Sequence, residues 1–320
     1  MIELGLGARR EPDEEFLQFA RQLGVPNIIL HTPPVRGEGY WDFQHLVQFR
    51  RRVEAAGLKL AAIENVPENF MDKIKRGVPG RDEQIENMQK TIRNIGRAGI
   101  PVLGYHFILL GVWRTDHTPT GRGGARVTKY NHAFVENAPI TEIGEYDDET
   151  LWANLEYFLK AVVPVAEENG VKLALHPDDP PVPVIAGTAR IIRSIEAYKR
   201  VMDIVPSPSN CIEFCQGTVS EMAITPEEVY EAIRYFGSRD KISYVHFRNV
   251  RGMVPEFEET FIDEGRIDML KALQAYKDSG CNTILIVDHT PGMVDDTGWG
   301  HRGRAFAIGY MKGMMKSMFG

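Results

Sequence analysis

The sequence predicts an α/β fold, a single (β/α)8 TIM barrel with long loops after the fourth and eighth strands, and three observations support this. Short apolar runs alternate eight times with amphipathic helical windows over the 320 residues, as expected for a parallel sheet with both faces covered. Most helical windows end at a glycine just before the next apolar run, a common helix stop signal. The turn after the first strand, Gly5–Arg9, lacks the third glycine of a dinucleotide-binding fingerprint, which disfavours an open doubly wound sheet.

The predicted elements follow one another without an intervening linker or low-complexity segment, so we expect one domain over residues 1–320. Strands are predicted where the apolar runs are continuous: Ile2–Leu6, Asn27–Leu30, Lys59–Ile63, Pro101–Phe107, Lys172–Leu175, Cys211–Phe214, Ile242–Phe247 and Thr283–Val287. Helices are predicted where apolar residues recur at helical spacing: Asp13–Leu23, Phe43–Ala56, Glu83–Ala98, Glu149–Glu168, Arg190–Met202, Pro226–Phe236, Asp268–Ser279 and Ala305–Met318.

Composition excludes several classes of protein. The net charge is −7 without a clustered basic stripe, so we expect no nucleic acid partner. No apolar run is long enough to span a bilayer, and the first residues show no cleavable signal pattern, so we expect a cytoplasmic protein without membrane contact. Three cysteines are too few for a disulfide framework, and Cys211 and Cys281 are interpreted as packing residues.

Two connections are unusually long: Leu109–Asp148 after the fourth strand and Thr290–Arg304 after the eighth. Long loops in a compact domain are commonly functional lids. Both loops follow strands, so both belong to the carboxyl-terminal face of a barrel, where active sites lie.

Each predicted strand ends in or is followed by a residue that can bind a metal, move a proton or hold an anion. In chain order these residues are Arg9, His31, Glu64, His106, His176, Cys215, His246 and Asp288. A single histidine at such a position usually only forms hydrogen bonds, and a single cysteine usually packs. Eight at corresponding positions indicate an active site. The last four would place two imidazoles, a thiolate and a carboxylate around one point, which suits Zn2+, Mn2+, Fe2+ or Co2+.

Several runs resemble the metal-dependent mannonate dehydratases. The resemblance rests on Asn154–Lys160, the KLALHPDDPP run Lys172–Pro181, Phe214–Gly217, Tyr235–Asn249 and the WRTD run Trp113–Asp116. It implies a (β/α)8 barrel, assembled as a homo-oligomer, that converts the sugar acid D-mannonate to 2-keto-3-deoxy-D-gluconate with Mn2+. The metal ligands that it implies are the four residues reached from the strand ends: His176, Cys215, His246 and Asp288.

The sequence also departs from the family pattern near the chemistry. The family's catalytic histidine matches His289, but Ala305 stands where its catalytic tyrosine is expected. His106 replaces an asparagine after the fourth strand, and Asn69 replaces a histidine after the third. These changes imply that the proton donor is supplied differently or that the substrate has changed.

We therefore expect His289 to transfer one proton of the dehydration, as general base or acid. Candidates for the other transfer are His301, Tyr310 and His106, with Tyr105 as a further one.

Substrate contacts are expected from Arg9, Arg114, Glu64, Arg248 and Asn249. The guanidinium fork of Arg9 or Arg114 matches a carboxylate, although Arg114 is nearly as well explained as a salt bridge that anchors the lid.

Three further acidic residues are predicted to act around these groups. Asp178 and Asp179 could support the metal ligands or cap the loop before the fifth helix, and loop capping is favoured. Glu213 should face the same side of its strand as Cys215 and orient a ligand.

Two other functions remain open at this level. An aldose–ketose isomerase or epimerase of the xylose-isomerase-like kind also uses a divalent metal at this barrel face, although a thiolate ligand argues against it. A non-catalytic sugar-acid sensor would keep the barrel and lose the proton donor. Loss of water, an epimeric or ketose product, or binding without turnover of D-mannonate would distinguish the three.

Overall fold

Eight parallel strands close into a barrel in the computed structural model, which describes residues 1–34, 39–118 and 120–320, so Pro119 of the predicted lid lies outside the described residues. Around the barrel the strands are neighbours in chain order, and the first pairs with the eighth. In chain order they are β1 Ile2–Arg9, β2 Asn27–His31, β3 Lys59–Glu64, β4 Val102–Tyr105, β5 Lys172–Leu175, β6 Asn210–Cys215, β7 Ile242–His246 and β8 Thr283–Ile286. The predicted fold class is confirmed.

Ten helices surround the barrel among the described residues. They are α1 Glu14–Leu23, α2 Phe43–Ala55, α3 Asp72–Arg76, α4 Arg81–Arg97, α5 Asp148–Glu168, α6 Ile195–Ile204, α7 Gln216–Met222, α8 Pro226–Gly237, α9 Met269–Ser279 and α10 His301–Phe319. Side-chain caps define several starts: Asp13, Asp42, Asp147, Ser194 and Asp268 each accept a hydrogen bond from a backbone N–H of the first turn.

Two helix starts differ from the predicted ones by four or more residues, and the structure adds two short helices. Helix α6 begins at Ile195 and not at Arg190, because the Ser194 side chain caps it and the preceding residues form a loop. Helix α10 begins at His301, four residues earlier than predicted. The short helices α3 and α7 were not predicted, and α7 starts directly after Cys215 at the end of β6.

The core forms two layers, as a barrel requires. A small cluster fills the barrel itself: Ile29, Ala62, Val102, Ala174, Tyr244 and Ile286. A much larger cluster packs the outer faces of the strands against the helices, and it includes Leu6, Ile28, Leu103, Leu155 and Ile308. Among the described residues, no helix combines the length and the apolar character that a membrane crossing requires.

A three-stranded antiparallel sheet, the lid sheet, lies outside the barrel. Its strands are Val250–Met253, Glu256–Glu259 and Lys129–Asn131. The hairpin 250–259 follows β7, and the third strand comes from the long loop after β4, with Tyr130 opposite Phe257. The predicted lid segment is therefore built into a sheet by a hairpin that the sequence did not reveal.

Candidate metal centre and active site

A cavity of about 370 Å3 opens at the carboxyl-terminal end of the barrel. Its lining comes from the ends of β1–β5, β7 and β8 and from the loops after them, since parallel strands present these ends on one face. The polar side chains of the lining are His31, Thr32, Glu64, Asn65, Glu68, His106, His176, Asp179, His246, Asp288 and His289.

The four residues predicted as metal ligands lie together on neighbouring strands. One ligand atom each of His176, Cys215 and His246 lies within 4.8 Å of the other two. Asp288 Oδ2 is 3.1 Å from His246 Nδ1, while its Oδ1 is buried without a hydrogen-bond partner. Because β6 pairs with β7 in the register Cys215 to His246, adjacent strand ends bring these side chains to one point.

The electrostatics of Cys215 favour a thiolate. Burial alone would raise the pKa of the Cys215 thiol, but the nearby Arg248 guanidinium and hydrogen bonds with His176 and His246 hold it well below its usual range. The Thr218 hydroxyl also donates to Sγ at 3.2 Å. A thiolate is the form in which cysteine binds a metal.

Two buried carboxylates extend this group into the barrel. Glu213 Oε1 is 2.7 Å and Glu64 Oε2 is 3.5 Å from His246 Nε2, and both oxygens lack a partner in hydrogen-bond geometry. The Tyr244 hydroxyl donates to the other oxygen of Glu213. Glu64, Glu213 and His246 thus form a second set of groups that could hold a cation, and it shares His246 with the first.

His289 follows β8 and lines the cavity, held by a carboxylate from the lid sheet. Its Nδ1 is 2.8 Å from Oε1 of Glu259, a residue that is buried and that sequence reasoning missed. Burial lowers the pKa of His289, but the charges of Glu259 and Asp288 outweigh this and raise it. With Nδ1 committed to Glu259, Nε2 is the nitrogen left for a reacting molecule.

A network of buried ion pairs joins the lid to the barrel. Arg114 binds Asp179 in a bidentate manner, at 2.6 and 2.8 Å, and also lies 2.6 Å from Glu259. Arg248 lies between Asp179 and Glu221, at 3.1 Å from each. Both guanidinium groups are paired with carboxylates of the protein. Arg114 therefore makes the contacts expected of a salt bridge that anchors the lid. Arg248 contacts the site residues through ion pairs.

Asp178 and Asp179 have different roles, although loop capping was favoured for both over support of the metal ligands. Asp178 accepts a hydrogen bond from the Ile192 amide at 3.1 Å, as a cap would. Asp179 instead joins the ion network described above, which corrects the interpretation. Its carboxyl pKa is lowered to about 2, because Arg114 and Arg248 outweigh the effect of burial.

Other predicted site residues make their contacts elsewhere. Arg9 pairs with Asp13 and Glu15 and stacks on Trp299, while Ala8 lines the cavity. His301 Nδ1 lies 2.6 Å from the Thr297 hydroxyl, within hydrogen-bond distance, and Nε2 is 3.0 Å from Glu15.

Three more predicted residues do not line the cavity: Tyr310, Tyr105 and Asn249. Tyr310 lies on α10 against the outer core, and Tyr105 is buried beside Phe158. The Asn249 amide donates to the Ile267 carbonyl and accepts from the Val250 and Ile267 amides, so it organises the start of the lid hairpin.

His106 does line the cavity, in a cluster with two residues that sequence reasoning missed. Glu68 Oε1 is 3.1 Å from His106 Nε2, and Lys75 Nζ is 3.4 Å from Nδ1. Lys75 lies on α3, and the polar face of so short a helix is not visible in the sequence. Its buried position could be recognised only from the tertiary structure.

The chain matches one protein family over nearly its whole length. The sequence profile described as D-mannonate dehydratase (UxuA) matches residues 10–145 and 140–319. A mannonate dehydratase of Thermotoga maritima is 34% identical over an alignment covering 96% of this chain and 94% of that protein. A mannonate dehydratase of Lactococcus lactis subsp. cremoris is 32% identical, covering 98% and 96%.

Solved structures agree with this relationship. The crystal structure of mannonate dehydratase from Streptococcus suis serotype 2 matches with a TM-score of 0.88 and 31% identity, covering 99% of this chain and 94% of that one. A structure of L-ribulose 3-epimerase matches with a TM-score of 0.60 at 15% identity, which shows a shared fold alone.

Proposed function

Because the chain belongs to the D-mannonate dehydratase family, we propose that it removes water from a sugar acid, with D-mannonate as substrate and 2-keto-3-deoxy-D-gluconate as product. The observation that carries the proposal is the convergence of His176, Cys215 and His246, with Asp288 beside them, at the base of a cavity that His289 also lines. In this reaction the C2–H and C3–O bonds break, water leaves, and the resulting enol becomes the 2-keto acid.

The residues present fit a divalent metal ion. Buried nitrogen and oxygen atoms of His246, Asp288 and Glu213 lack hydrogen-bond partners, as expected of groups that converge on a cation. Two imidazoles, a thiolate and a carboxylate suit a borderline ion, and we propose Mn2+ held by His176, Cys215, His246 and Asp288. When bound, the ion acts as a Lewis acid that stabilises negative charge developing beside the substrate carboxylate.

His289 is the side chain that we assign to proton transfer. Its Nε2 can take the C2 proton in the neutral form, and the protonated ring can return it to the departing hydroxyl as water forms. Glu259 fixes the Nδ1–H tautomer and the ring orientation that this exchange needs. Since Ala305 stands at the position of the family's tyrosine, one histidine serving both transfers accounts for the reaction.

The cavity also defines the substrate contacts that remain in the proposal. Glu64 and Asp179 line it directly, whereas Arg114 and Arg248 act by holding Asp179 and Glu259 in place. Four predicted residues have no part in the proposed reaction, because their side chains do not line the cavity: Arg9, Asn249, His301 and Tyr310.

We further propose a homo-oligomer in a reducing compartment such as the cytoplasm. The family resemblance supports the assembly. The three cysteines are unpaired, and one of them is a proposed ligand that must stay a free thiolate.

The test is formation of a 2-keto-3-deoxy acid from D-mannonate by the purified protein, with and without added Mn2+. We expect turnover with Mn2+, loss of turnover after chelation, and recovery when Mn2+ is restored. Metal content gives an independent readout. Removal of a residue that only supports a metal ligand lowers metal affinity about 10–100-fold. Cys215 is itself a proposed ligand, so Cys215→Ser should lower metal affinity about a hundredfold or more.

Cys211→Ser is the matched control, because Cys211 is buried in the same strand and its thiol bonds the Pro208 carbonyl. It should keep both metal and turnover. Retention of stoichiometric metal by Cys215→Ser and by His246→Ala would contradict the proposed site.

One observation favours an isomerase or epimerase as the second candidate function. Glu64 and Glu213 bring two carboxylates to His246, and metal sites of the isomerase kind are built mainly from carboxylates. The same assay decides, because a ketose or epimeric product would appear without loss of water. Tight binding of D-mannonate without any product would favour the sensor.

A further inference from the structure

Lys75, His106 and Glu68 form a polar cluster that the proposed chemistry does not use. Lys75 is 2% exposed and donates to Glu68 Oε2 at 2.9 Å and to the Ile108 carbonyl at 3.0 Å, and its Nζ lies 3.4 Å from His106 Nδ1. An ammonium group has three donors, and these three acceptors account for all of them. Helix α3, which carries Lys75, is held to α5 by the Asn154 amide, which donates to the Lys75 carbonyl at 2.9 Å.

The cluster presents a defined face to the cavity. Because Lys75 can only donate, His106 Nδ1 accepts and the ring proton sits on Nε2, 3.1 Å from Glu68 Oε1. Burial and the charge of Lys75 lower the pKa of His106 to about 4, so the ring is neutral and a poor proton donor near pH 7. The His106 ring is therefore suited to hydrogen bonding with Lys75 and Glu68 and not to proton transfer.

The cluster lies across the barrel from His289 and Asp288. His106 follows β4, and His289 and Asp288 follow β8, which is the strand opposite β4 in a ring of eight. The β1–β2 side of the lining consists of Ala8, His31 and Thr32 and carries no carboxylate among the described residues. A substrate held by its carboxylate end near His246 and Asp288 therefore meets the side chains of His106 and Glu68 on the β3–β4 side.

We propose that Lys75, His106 and Glu68 form a subsite that receives the uncharged hydroxyl end of the sugar acid and disfavours a second carboxylate there. This inference rests on the proposed dehydration of a sugar acid. Glu68 accepts hydrogen bonds from hydroxyl groups and repels an anion, and Lys75 is a positioning residue that holds Glu68 and His106 in place without itself lining the cavity. The subsite would therefore make the protein prefer D-mannonate to the corresponding diacid.

Local charge supports this assignment. The side chain of Glu68 is 58% exposed at the cavity lining, where an incoming ligand can reach it. Burial raises the pKa of Glu68, but hydrogen bonds from His106 and the charge of Lys75 outweigh this and lower it to about 2. The carboxylate is therefore ionised over the working pH range.

The experiment compares D-mannonate with D-mannarate, the diacid of the same configuration whose sixth carbon is a carboxylate. The readout is the ratio of kcat/KM for the diacid to that for the monoacid. We expect the intact protein to favour the monoacid and Glu68→Gln to raise the ratio about tenfold, because one like charge near the terminal carboxylate is removed. Glu86→Gln, an exposed carboxylate on α4, should leave the ratio unchanged.

Lys75→Met tests the positioning role. We expect the KM for D-mannonate to rise several-fold with a smaller change in kcat and no change in metal content, while Lys73→Met on the same helix changes neither. A fall in kcat at constant KM would overturn this role. If Lys75→Met does not fold, the ratio measured with Glu68→Gln decides alone, since Glu68 is exposed.

The outcomes separate the two proposals. Protein that binds Mn2+ but does not dehydrate D-mannonate overturns the proposed function. Protein that dehydrates D-mannonate but shows the same ratio for Glu68→Gln and Glu86→Gln overturns the subsite and leaves the proposed function standing.

Discussion

Glu259 shows how one residue connects the lid to the chemistry. Its Oε1 accepts from Arg114 and lies 2.8 Å from His289 Nδ1, while the residue itself is 7% exposed. A carboxylate that holds a histidine in this way selects its tautomer and restricts its rotation. The position of the lid sheet and the orientation of His289, the proposed proton-transfer residue, therefore depend on the same oxygen.

We expect Glu259→Gln to lower kcat for D-mannonate about 10–100-fold with metal content retained, since an orienting partner is lost while the ligands stay. The KM should change less than kcat, because Glu259 does not line the cavity. Steady-state kinetics and metal analysis on the same preparation measure both.

Glu258→Gln is the control for this prediction. Glu258 is adjacent in the chain, and its carboxylate pairs with Lys129 and Arg251 outside the cavity. Its kcat should stay near that of the unchanged protein. Equal losses in the two variants would assign the effect to the lid sheet as a whole and remove the specific role of Glu259.

The lid sheet and the loops beside it are held by ion pairs of two kinds, one buried and one exposed. Arg114 is 6% exposed and binds Asp179 and Glu259, whereas Arg122 binds Asp263 at the surface. Removal of one partner from a buried pair leaves an uncompensated buried charge, while exposed pairs contribute little.

We therefore expect Arg114→Met to lower the free energy of unfolding by about 3–5 kcal/mol and Arg122→Met by at most about 1 kcal/mol. Chemical denaturation of both variants measures the difference. Because Arg114 anchors the lid, proteolysis within 109–148 should also accelerate in Arg114→Met. Similar stability of the two variants would show that Asp179 and Glu259 find other partners.

Helix α10 illustrates how an element beyond the strands supports the candidate metal site. Arg304, in its first turn, donates to the carbonyls of Val287, Asp288 and Trp299 and is 4% exposed. These bonds fix the backbone at the end of β8, from which Asp288 and His289 project. The helix was predicted to begin at Ala305, so Arg304 and its hydrogen bonds lay outside the predicted element.

The barrel as a whole depends on close packing across its interior. A Cβ added at Gly104 on β4 would overlap the hydroxyl of Tyr244, which donates to Glu213 beside His246. The small residue is needed because side chains from different strands meet at the barrel axis. Barrel packing and site geometry are thus linked through Tyr244 and Glu213.

We expect Gly104→Ala to lower the free energy of unfolding by about 1–3 kcal/mol, as overpacking of a filled core does. Gly309→Ala is the matched comparison. Gly309 is exposed inside α10 with nothing near the added Cβ, so the change should raise stability by about 0.5–1 kcal/mol through helix propensity. Equilibrium denaturation measures both, and equal effects would contradict the packing of the barrel interior described here.

Much of the site was predictable because strand ends in a barrel meet on one face. The alternation of apolar runs and helical windows predicts the fold class. Since the strand ends of a barrel share one face, the pattern also predicts which residues lie there without any knowledge of their contacts: His106, His176, Cys215, His246 and Asp288. The parts that depend on side-chain direction were not predictable. Arg9 ends its strand as expected, yet its guanidinium turns to Asp13 and Glu15.

The barrel, the family and the set of candidate ligands could be predicted from the sequence, since these depend on periodicity and on local runs of residues. Which charges meet could be seen only in the folded protein. Glu259 lies 30 positions from His289, and Lys75 lies 31 positions from His106. Each of these contacts forms because a hairpin or a short helix folds back over the barrel mouth. Ion pairing is a property of distance in space, and no spacing along the chain encodes it.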